Sequence, residues 1–266
     1  MPCFTFKAPK KKDKEIFPVA IVKGDDEKFH NKMLYLNTKA DCKPEDGEAE
    51  IALPMGCMFN IIPTRGDWEH RDIYFIAGQS GSGKSWMATQ IANNYKRMYP
   101  DRPIYVVSHL DKDNTLDKIK GIIRLDMKAL LEEDFDINKW NDCLVIFDDY
   151  ESEDKKEMKA ILKMITSIAI MGRKHHDGQG NISMMVLNHN LTNYNKTKLL
   201  HDEASHYVLY PQSTSYHSLQ YLLKTRIGMT KDEIRGLKKL GRWVLIHKNY
   251  PSYLISSQYA KVLFQD

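Results

Sequence analysis

One glycine-rich segment has the residue types and spacing of a phosphate-binding loop. It matches the pattern GxxxxGK[ST] at every fixed position and reads Gly78-Gln79-Ser80-Gly81-Ser82-Gly83-Lys84-Ser85. Glycines let backbone N–H groups curl around phosphate oxygens, and the dipole of the helix that follows favours an anion. In this pattern Lys84 reaches the terminal phosphates and the hydroxyl of Ser85 is a ligand of Mg²⁺. The segment therefore predicts a site for ATP and Mg²⁺.

Two consecutive acids supply the expected partners of that loop. The segment Leu144–Asp149 reads LVIFDD, a short apolar strand that ends in carboxylates. Asp148 is placed to hold Mg²⁺ through a water molecule, and Asp149 to polarise an attacking water. A second acid directly after the first favours hydrolysis over transfer to a small molecule. Many hydrolytic P-loop enzymes have Glu at the second position. Asp149 has a shorter side chain, so the comparison with Glu does not define its exact role.

A polar pair follows a later strand. The strand IYVVS (Ile104–Ser108) lies between the loop and the acids in sequence, and ISMMVL (Ile182–Leu187) comes after them. In RecA-like hydrolytic proteins a strand inserted between the loop strand and the acidic strand carries a polar sensor of the γ-phosphate at its carboxyl end. The candidates here are Asn188 and His189. The alternative is a polar loop that simply follows a strand.

A basic residue stands at the end of a long helical pattern. The pattern covers Glu153–Met171 and is followed by Gly172 and Arg173. If the protein forms a ring, Arg173 could act as an arginine finger on a neighbouring subunit, an effect worth about 10³–10⁵ in rate where it operates. The alternative is favourable charge at a helix carboxyl end.

The surrounding elements indicate the fold that would position these residues. From Asp67 onward, continuous apolar strands alternate with amphipathic helices, which is typical of a parallel sheet covered on both faces. The first 66 residues contain short apolar segments broken by Pro, Gly and acids, which favours short strands. We therefore predict an α/β, RecA-like P-loop NTPase domain over residues 67–266 and a small β-rich region with a basic arm over residues 1–66.

Composition excludes several classes of protein. The chain has 266 residues, 39 Lys and Arg, 35 Asp and Glu, and a formal net charge of +4. No run of about 18 apolar residues predicts a membrane span, and the amino-terminal residues show no apolar core of a secretory signal. The sequence thus suggests an intracellular protein. The four cysteines are scattered without a CxxC pair, which argues against a zinc site and a disulfide framework.

The order of the motifs resembles the viral genome-packaging ATPases of the FtsK/HerA superfamily, the type found in poxviruses and other nucleocytoplasmic large DNA viruses. The similarity runs from Phe59 to the carboxyl terminus. The segments that carry it are GQSGSGKS, IYVVS, LVIFDDYES, GRKHH, NISMMVLNHNLTNYNKT and GRWVLIHKNYPSYLIS.

This resemblance implies an oligomeric ring that hydrolyses ATP to move double-stranded DNA into a capsid, with capsid or portal-vertex proteins as further partners. It implies the host cytoplasm or the virion as its location. Lys84 and Ser85 would contact the phosphates and Mg²⁺, Asp148 would be the acid on the metal side, Asp149 the catalytic acid and Arg173 the finger. The family usually has Gln at the sensor position, where this chain has His189.

DNA contacts and other functions stay open at the level of sequence. A translocating ring needs basic and polar residues that touch phosphates. The segments Asn188–Lys198 and Lys238–Arg242 could supply them, or they could be an exposed connector and a solvated helix end. The alternative functions are a helicase-like or switch ATPase acting on nucleic acid, a small-molecule kinase and a non-hydrolysing module. A kinase would be expected to have an arginine-rich lid, and no obvious lid is present.

Overall fold

A computed structural model describes most of the chain. The described residues are 2–9, 13–39, 42–43, 45–63, 71–125, 130, 135–151, 154–174, 180–192 and 194–263, the side chains of 194–196 excepted. The predicted boundary at residue 66, the lysines at 10–12 and the histidines at 175–176 lie outside them. The chain divides into two compact units, one formed by residues 1–65 with 205–266 and the other by residues 66–204.

Within its described residues, the unit of residues 66–204 contributes five parallel strands to a larger sheet, together with helices that pack on them. Its strands are β6 (Ile73–Ala77), β7 (Ile104–Val107), β8 (Ile122–Leu125), β9 (Leu144–Phe147) and β10 (Ser183–Asn188). The spatial order is β6-β10-β9-β7-β8, and every neighbouring pair is parallel. All residues of β6, β9 and β10 are buried, which is the pattern of a sheet covered on both faces.

Strand β10 confirms the predicted insertion between the loop strand and the acidic strand. Asn188 pairs with Ala77 at the end of β6, and Val186 pairs with Phe147 at the end of β9. Because the strands are parallel, the residues that follow Ala77, Phe147 and Asn188 meet at one edge of the sheet. That edge brings together the phosphate loop, the acid pair and the polar pair.

The α-helices α1 (Lys84–Met98), α2 (Lys155–Met171) and α3 (Tyr194–Glu203) also belong to this unit. Helix α1 packs on β6 and β10 through a buried stripe, and α3 packs on β6 and α2. Asp154 caps α2, since its carboxylate accepts hydrogen bonds from the backbone N–H groups of Lys156 and Glu157 at 2.7 and 3.1 Å. Helix α3 was not predicted: the sequence indicated a polar loop over Asn188–Lys198, either a DNA contact or an exposed connector, and the helix includes the end of that segment.

The other unit is built from antiparallel strands. One sheet has the order β1-β3-β2-β5 and contains β1 (Cys3–Thr5), β2 (Ile16–Gly24), β3 (Met33–Asn37) and β5 (Cys57–Ile61). A second set has the order β4-β14-β13-β12-β11 and contains β4 (Glu50–Ala52), β11 (His206–Leu209), β12 (Val244–His247), β13 (Tyr253–Ser256) and β14 (Tyr259–Val262). Two helices, α4 (Tyr216–Arg226) and α5 (Lys231–Gly236), connect β11 to β12.

The sequence grouped the carboxyl-terminal residues with the P-loop domain that follows residue 66, but in the structure residues 205–266 belong with residues 1–65. Strand β14 pairs with β4, so that Tyr259 lies opposite Ala52 and Lys261 opposite Glu50. The Lys261 and Glu50 side chains also form an ion pair at 2.6 Å. These contacts place residues 205–266 in the same compact unit as the first 65 residues.

The cysteines also differ from the prediction. Cys3 and Cys42 form a disulfide, although their separation in sequence gave no sign of one. Cys57 and Cys143 are free and buried. None of the helices within the described residues is both long and apolar enough to cross a bilayer.

Candidate active site

The phosphate loop has the backbone conformation of an anion cradle. The N–H of Gly78 donates to the carbonyl of Asn188 at 3.1 Å, which ties the start of the loop to the neighbouring strand. Gly81 and Gly83 have φ angles of 73° and 111°, a region that residues with a Cβ rarely adopt. Gly83 is the cap of α1, and no described side chain caps this end of the helix. The first N–H groups of α1 are therefore suited to an acidic ligand.

Lys84 lies folded over this loop. Its Nζ donates to the carbonyl oxygens of Gly78 at 2.9 Å and Gln79 at 3.3 Å, and the residue is 7% exposed. Burial lowers the pKa of Lys84, while the nearby carboxylates of Asp148 and Asp149 act in the opposite direction. The loop thus holds a buried cation beside two acids. Gln79, Ser80 and Gly81 form the exposed rim of the loop, and Ser82 is buried.

Ser85 and Asp148 form the predicted oxygen pair. The Ser85 hydroxyl donates to Asp148 Oδ2 at 3.3 Å, and Asp148 is 4% exposed. Burial raises the pKa of Asp148 to about 6, and the charges of Asp149 and Asp113 add to this rise. A hydroxyl and a carboxylate that meet beside a phosphate loop are ligands that suit Mg²⁺. The residues present therefore fit the metal.

His189 connects the two sides of the site. Its Nε2 lies 3.1 Å from Asp149 Oδ1, and its Nδ1 lies 3.4 Å from Lys84 Nζ. Both His189 and Asp149 are partly exposed, with side-chain exposures of 47% and 42%. The structure thus brings five of the predicted residues into one network, in the order Ser85, Asp148, Lys84, His189 and Asp149.

Asn188 belongs to a buried contact that the sequence did not indicate. Its Oδ1 accepts a hydrogen bond of 2.7 Å from the hydroxyl of Tyr150, and its Nδ2 is buried without a hydrogen-bond partner among the described residues. Burial raises the pKa of Tyr150 beyond its usual range, so the phenol keeps its proton. Tyr150 therefore fixes which end of the Asn188 amide remains available beside the loop.

His109 is a second contact missed from the sequence. Its backbone N–H donates to the carbonyl of Asp149 at 3.4 Å, its Nε2 lies 3.3 Å from the carbonyl of Tyr150, and its Nδ1 lies 3.6 Å from Glu157. The available signal was its position just beyond the carboxyl end of β7. Parallel strands in this sheet end at the same edge, so residues after β7 lie near those after β9.

Arg173 is the predicted residue that the structure does not bring to this cluster. It follows α2 at the amino ends of the strands, where the Ile182 N–H donates to the Gly172 carbonyl and the Asn181 N–H to the Arg173 carbonyl. Strand β10 runs from there to Asn188, and six residues at about 3.3 Å each place the two ends nearly 20 Å apart. Arg173 is exposed at that opposite edge.

Comparisons with known proteins bear on the fold of the chain. No model of a known protein family matches the chain. A solved structure of the cytoplasmic domain of the type VII secretion ATPase EccC from Thermomonospora curvata covers 95% of this chain, with a TM-score of 0.51 and 11% identity. This chain covers 29% of that one.

The fold is that of a P-loop NTPase. A second solved structure, the DNA-packaging ATPase B204 of Sulfolobus turreted icosahedral virus, covers 73% of this chain and 98% of its own, with 14% identity and a TM-score of 0.44. In sequence, the uncharacterised protein V3 of the Sputnik virophage is 29% identical over 254 residues, which are 94% of this chain and 97% of V3. The likeness to the EccC domain and the observed strand order around the loop confirm the P-loop fold predicted from the sequence.

Proposed function

We propose that this protein is an ATP-hydrolysing motor that translocates double-stranded DNA and packages a viral genome into a capsid. The observation that carries the proposal is the cluster at the carboxyl edge of the parallel sheet. There the loop lysine, Lys84, lies within reach of His189, and Ser85 contacts Asp148. Such a site can bind a triphosphate with its metal and place an acid beside the terminal phosphate.

Each residue of this cluster has a defined part in ATP hydrolysis. The backbone of the loop and Lys84 bind the phosphates, and Ser85 with Asp148 holds Mg²⁺. When bound, the metal neutralises charge on the phosphates. Asn188 offers the buried Nδ2 as a donor toward phosphate, because Tyr150 occupies its oxygen. Asp149 and His189 lie on the open side of the site, from which an attacking water would come.

The viral context has two supports. The order of motifs resembles viral packaging ATPases, and the relative V3 comes from a virophage and matches nearly its whole length. A packaging motor would work in the cytoplasm of an infected host cell or at the virion, with capsid or portal-vertex proteins as partners. Its DNA contacts would be to phosphates, because base readout would stall movement.

The proposed assembly is a ring in which Arg173 serves the neighbouring subunit. Arg173 is exposed at the edge opposite its own phosphate loop, so any contact with a nucleotide would have to come from another copy. Mixing tests this role. Arg173→Ala subunits added to wild-type protein should depress ATP turnover more steeply than simple dilution, whereas Lys159→Ala subunits, which lose an exposed lysine of α2, should only dilute. Strict proportionality for Arg173→Ala would exclude the trans role.

ATP turnover with and without DNA tests the function as a whole. We expect long double-stranded DNA to stimulate hydrolysis, and the stimulation to weaken as salt rises, because log K for phosphate contacts falls in proportion to log[salt]. Stimulation by single-stranded DNA alone would indicate a helicase-like factor instead. Turnover that ignores DNA, together with efficient phosphorylation of a nucleoside, would replace the motor with a small-molecule kinase.

A further inference from the structure

The hydrogen bonds of His189 define its tautomer. Lys84 Nζ is a donor without a lone pair, so the ring nitrogen that faces it at 3.4 Å, Nδ1, must accept. The other nitrogen, Nε2, faces the Asp149 carboxylate at 3.1 Å and therefore carries the hydrogen. The imidazole thus presents a lone pair toward the phosphate loop and a proton toward Asp149.

This arrangement has the chemistry of a base oriented by a carboxylate. A carboxylate that accepts from one ring nitrogen holds the ring in place and stabilises the imidazolium that forms when the other nitrogen takes a proton. Asp149 is in position to do this because its backbone is left-handed, with φ of 44°, and its carbonyl accepts from the His109 N–H. Oδ1 of Asp149 already accepts from His189 Nε2. The imidazole therefore lies between the Asp149 carboxylate and Lys84, with Nδ1 on the Lys84 side.

We propose that His189, rather than Asp149, is the base that takes the proton of the attacking water, and that Asp149 is its positioning residue. The proposal rests on the ATP hydrolysis proposed above. The water oxygen forms a bond to the γ-phosphorus, and one water proton passes to His189 Nδ1. The bond between the γ-phosphorus and the bridging oxygen breaks, and its electron pair leaves on ADP. The proton later returns to solvent, to which His189 is partly exposed.

The charges around His189 suit a base that becomes active only with substrate present. Lys84 and Asp149 contact the ring directly. The negative charge of Asp148 also attracts Lys84. In this structure the lysine occupies the lone pair of Nδ1. Phosphate oxygens of a bound triphosphate compete for Lys84, since this lysine is the phosphate ligand of the motif. Binding of ATP would therefore free Nδ1 to accept from water.

Substitution of His189 distinguishes a base from a hydrogen-bonding sensor. In the whole 266-residue chain, His189→Gln keeps a polar side chain that can form hydrogen bonds, but an amide cannot accept a proton near neutral pH. We expect kcat to fall by about 10²–10⁴, with the Kd of a fluorescent ATP analogue nearly unchanged.

Two further measurements separate catalysis from structure. Imidazole added to His189→Ala should restore part of the lost turnover, because the site of this ring is open to solvent, and the rescue should follow the unprotonated imidazole. Asp149→Asn in the His189→Gln background should cost little more than His189→Gln alone, since residues that act as a unit are not additive.

The outcomes that overturn the assignment are equally specific. Turnover of His189→Gln within about threefold of wild type would mean that an amide suffices and that no proton is transferred to this residue. Failure of imidazole to rescue His189→Ala, with the melting temperature unchanged, would also exclude a base. Wild-type protein that binds ATP but shows no hydrolysis would overturn the proposed function itself, and this inference with it.

Discussion

Lys84→Ala is expected to lower ATP turnover by at least about 10²–10³, the usual cost of removing a group that stabilises charge in a transition state. Lys84 is the buried cation of the loop, and its Nζ contacts two loop carbonyls and His189. Its loss leaves the terminal phosphates without a positive partner. Steady-state hydrolysis and titration with a fluorescent ATP analogue measure the effect.

A second lysine on the same helix provides the control. Lys96 lies near the end of α1 and donates to the carbonyl of Arg102, away from the loop. Lys96→Ala should retain turnover close to that of the wild type. Both variants should melt as single cooperative transitions. Full activity in Lys84→Ala would refute the assignment of the phosphate site.

Asp148→Asn is expected to abolish Mg²⁺-dependent turnover and, at the same time, to stabilise the protein without nucleotide. The amide removes the negative charge that would face the metal, so we expect a loss of about 10²–10³ in kcat. The stabilisation has a separate cause. The carboxylate of Asp148 is buried, and burial raises its pKa from the ordinary 3.8 to about 6, so its charged form is unfavourable in the folded state.

The sign of the pH dependence follows from this raised pKa. The folded state binds the proton of Asp148 more tightly than the unfolded chain, so stability falls as pH rises from about 4 to about 6 and stays reduced above that. At about 1.4 kcal/mol for each pKa unit, the variant should gain about 1 to 3 kcal/mol in free energy of unfolding at pH 7. The gain should vanish near pH 4.

Denaturant unfolding at both pH values measures this difference. Asp101→Asn is the matched control, because Asp101 is an exposed acid and its loss should leave both stability and turnover nearly unchanged. An Asp148→Asn protein that is less stable than the wild type at pH 7 would contradict the electrostatic account of this residue. Retained Mg²⁺-dependent turnover would contradict its place at the metal.

The part of the site that could be predicted from sequence is the part encoded by short local motifs. The loop Gly78–Ser85 is continuous in sequence, and its position after a buried strand and before a helix already defines its geometry. The insertion of β10 between β6 and β9 could be predicted as well, because the order of elements in RecA-like proteins constrains it. That insertion is why Asn188 and His189 were candidates.

The missed contacts depend on tertiary structure. Tyr150 binds the Asn188 side chain across 38 positions, and His109 reaches Asp149 and Tyr150 from a different strand. No local pattern marks either residue. Cys3 and Cys42 illustrate the same limit, since their pairing depends on how the amino-terminal segments fold.

Weak periodicity explains the other differences. Helix α3 carries few apolar residues, and its described buried positions are Thr197, Leu200 and His201. Because some of these buried positions are polar, the sequence shows no apolar helical periodicity here and indicates a connecting loop instead. Strands β8 and β14 lack a continuous apolar run: no residue of β8 is fully buried, and buried residues alternate with half-buried ones in β14. The pairing of β14 with β4 could not be inferred, because it joins residues that are about 200 positions apart.

Displacement of a triplex-forming oligonucleotide from long linear duplex DNA tests the central claim, ATP-driven movement along double-stranded DNA, most directly. With ATP and Mg²⁺ the wild-type protein should release the third strand, with a delay that grows with its distance from the DNA end, and Lys84→Ala should release none. Robust DNA-stimulated ATP hydrolysis without any release of the third strand would show an ATPase that binds DNA but does not move along it, and would contradict the motor.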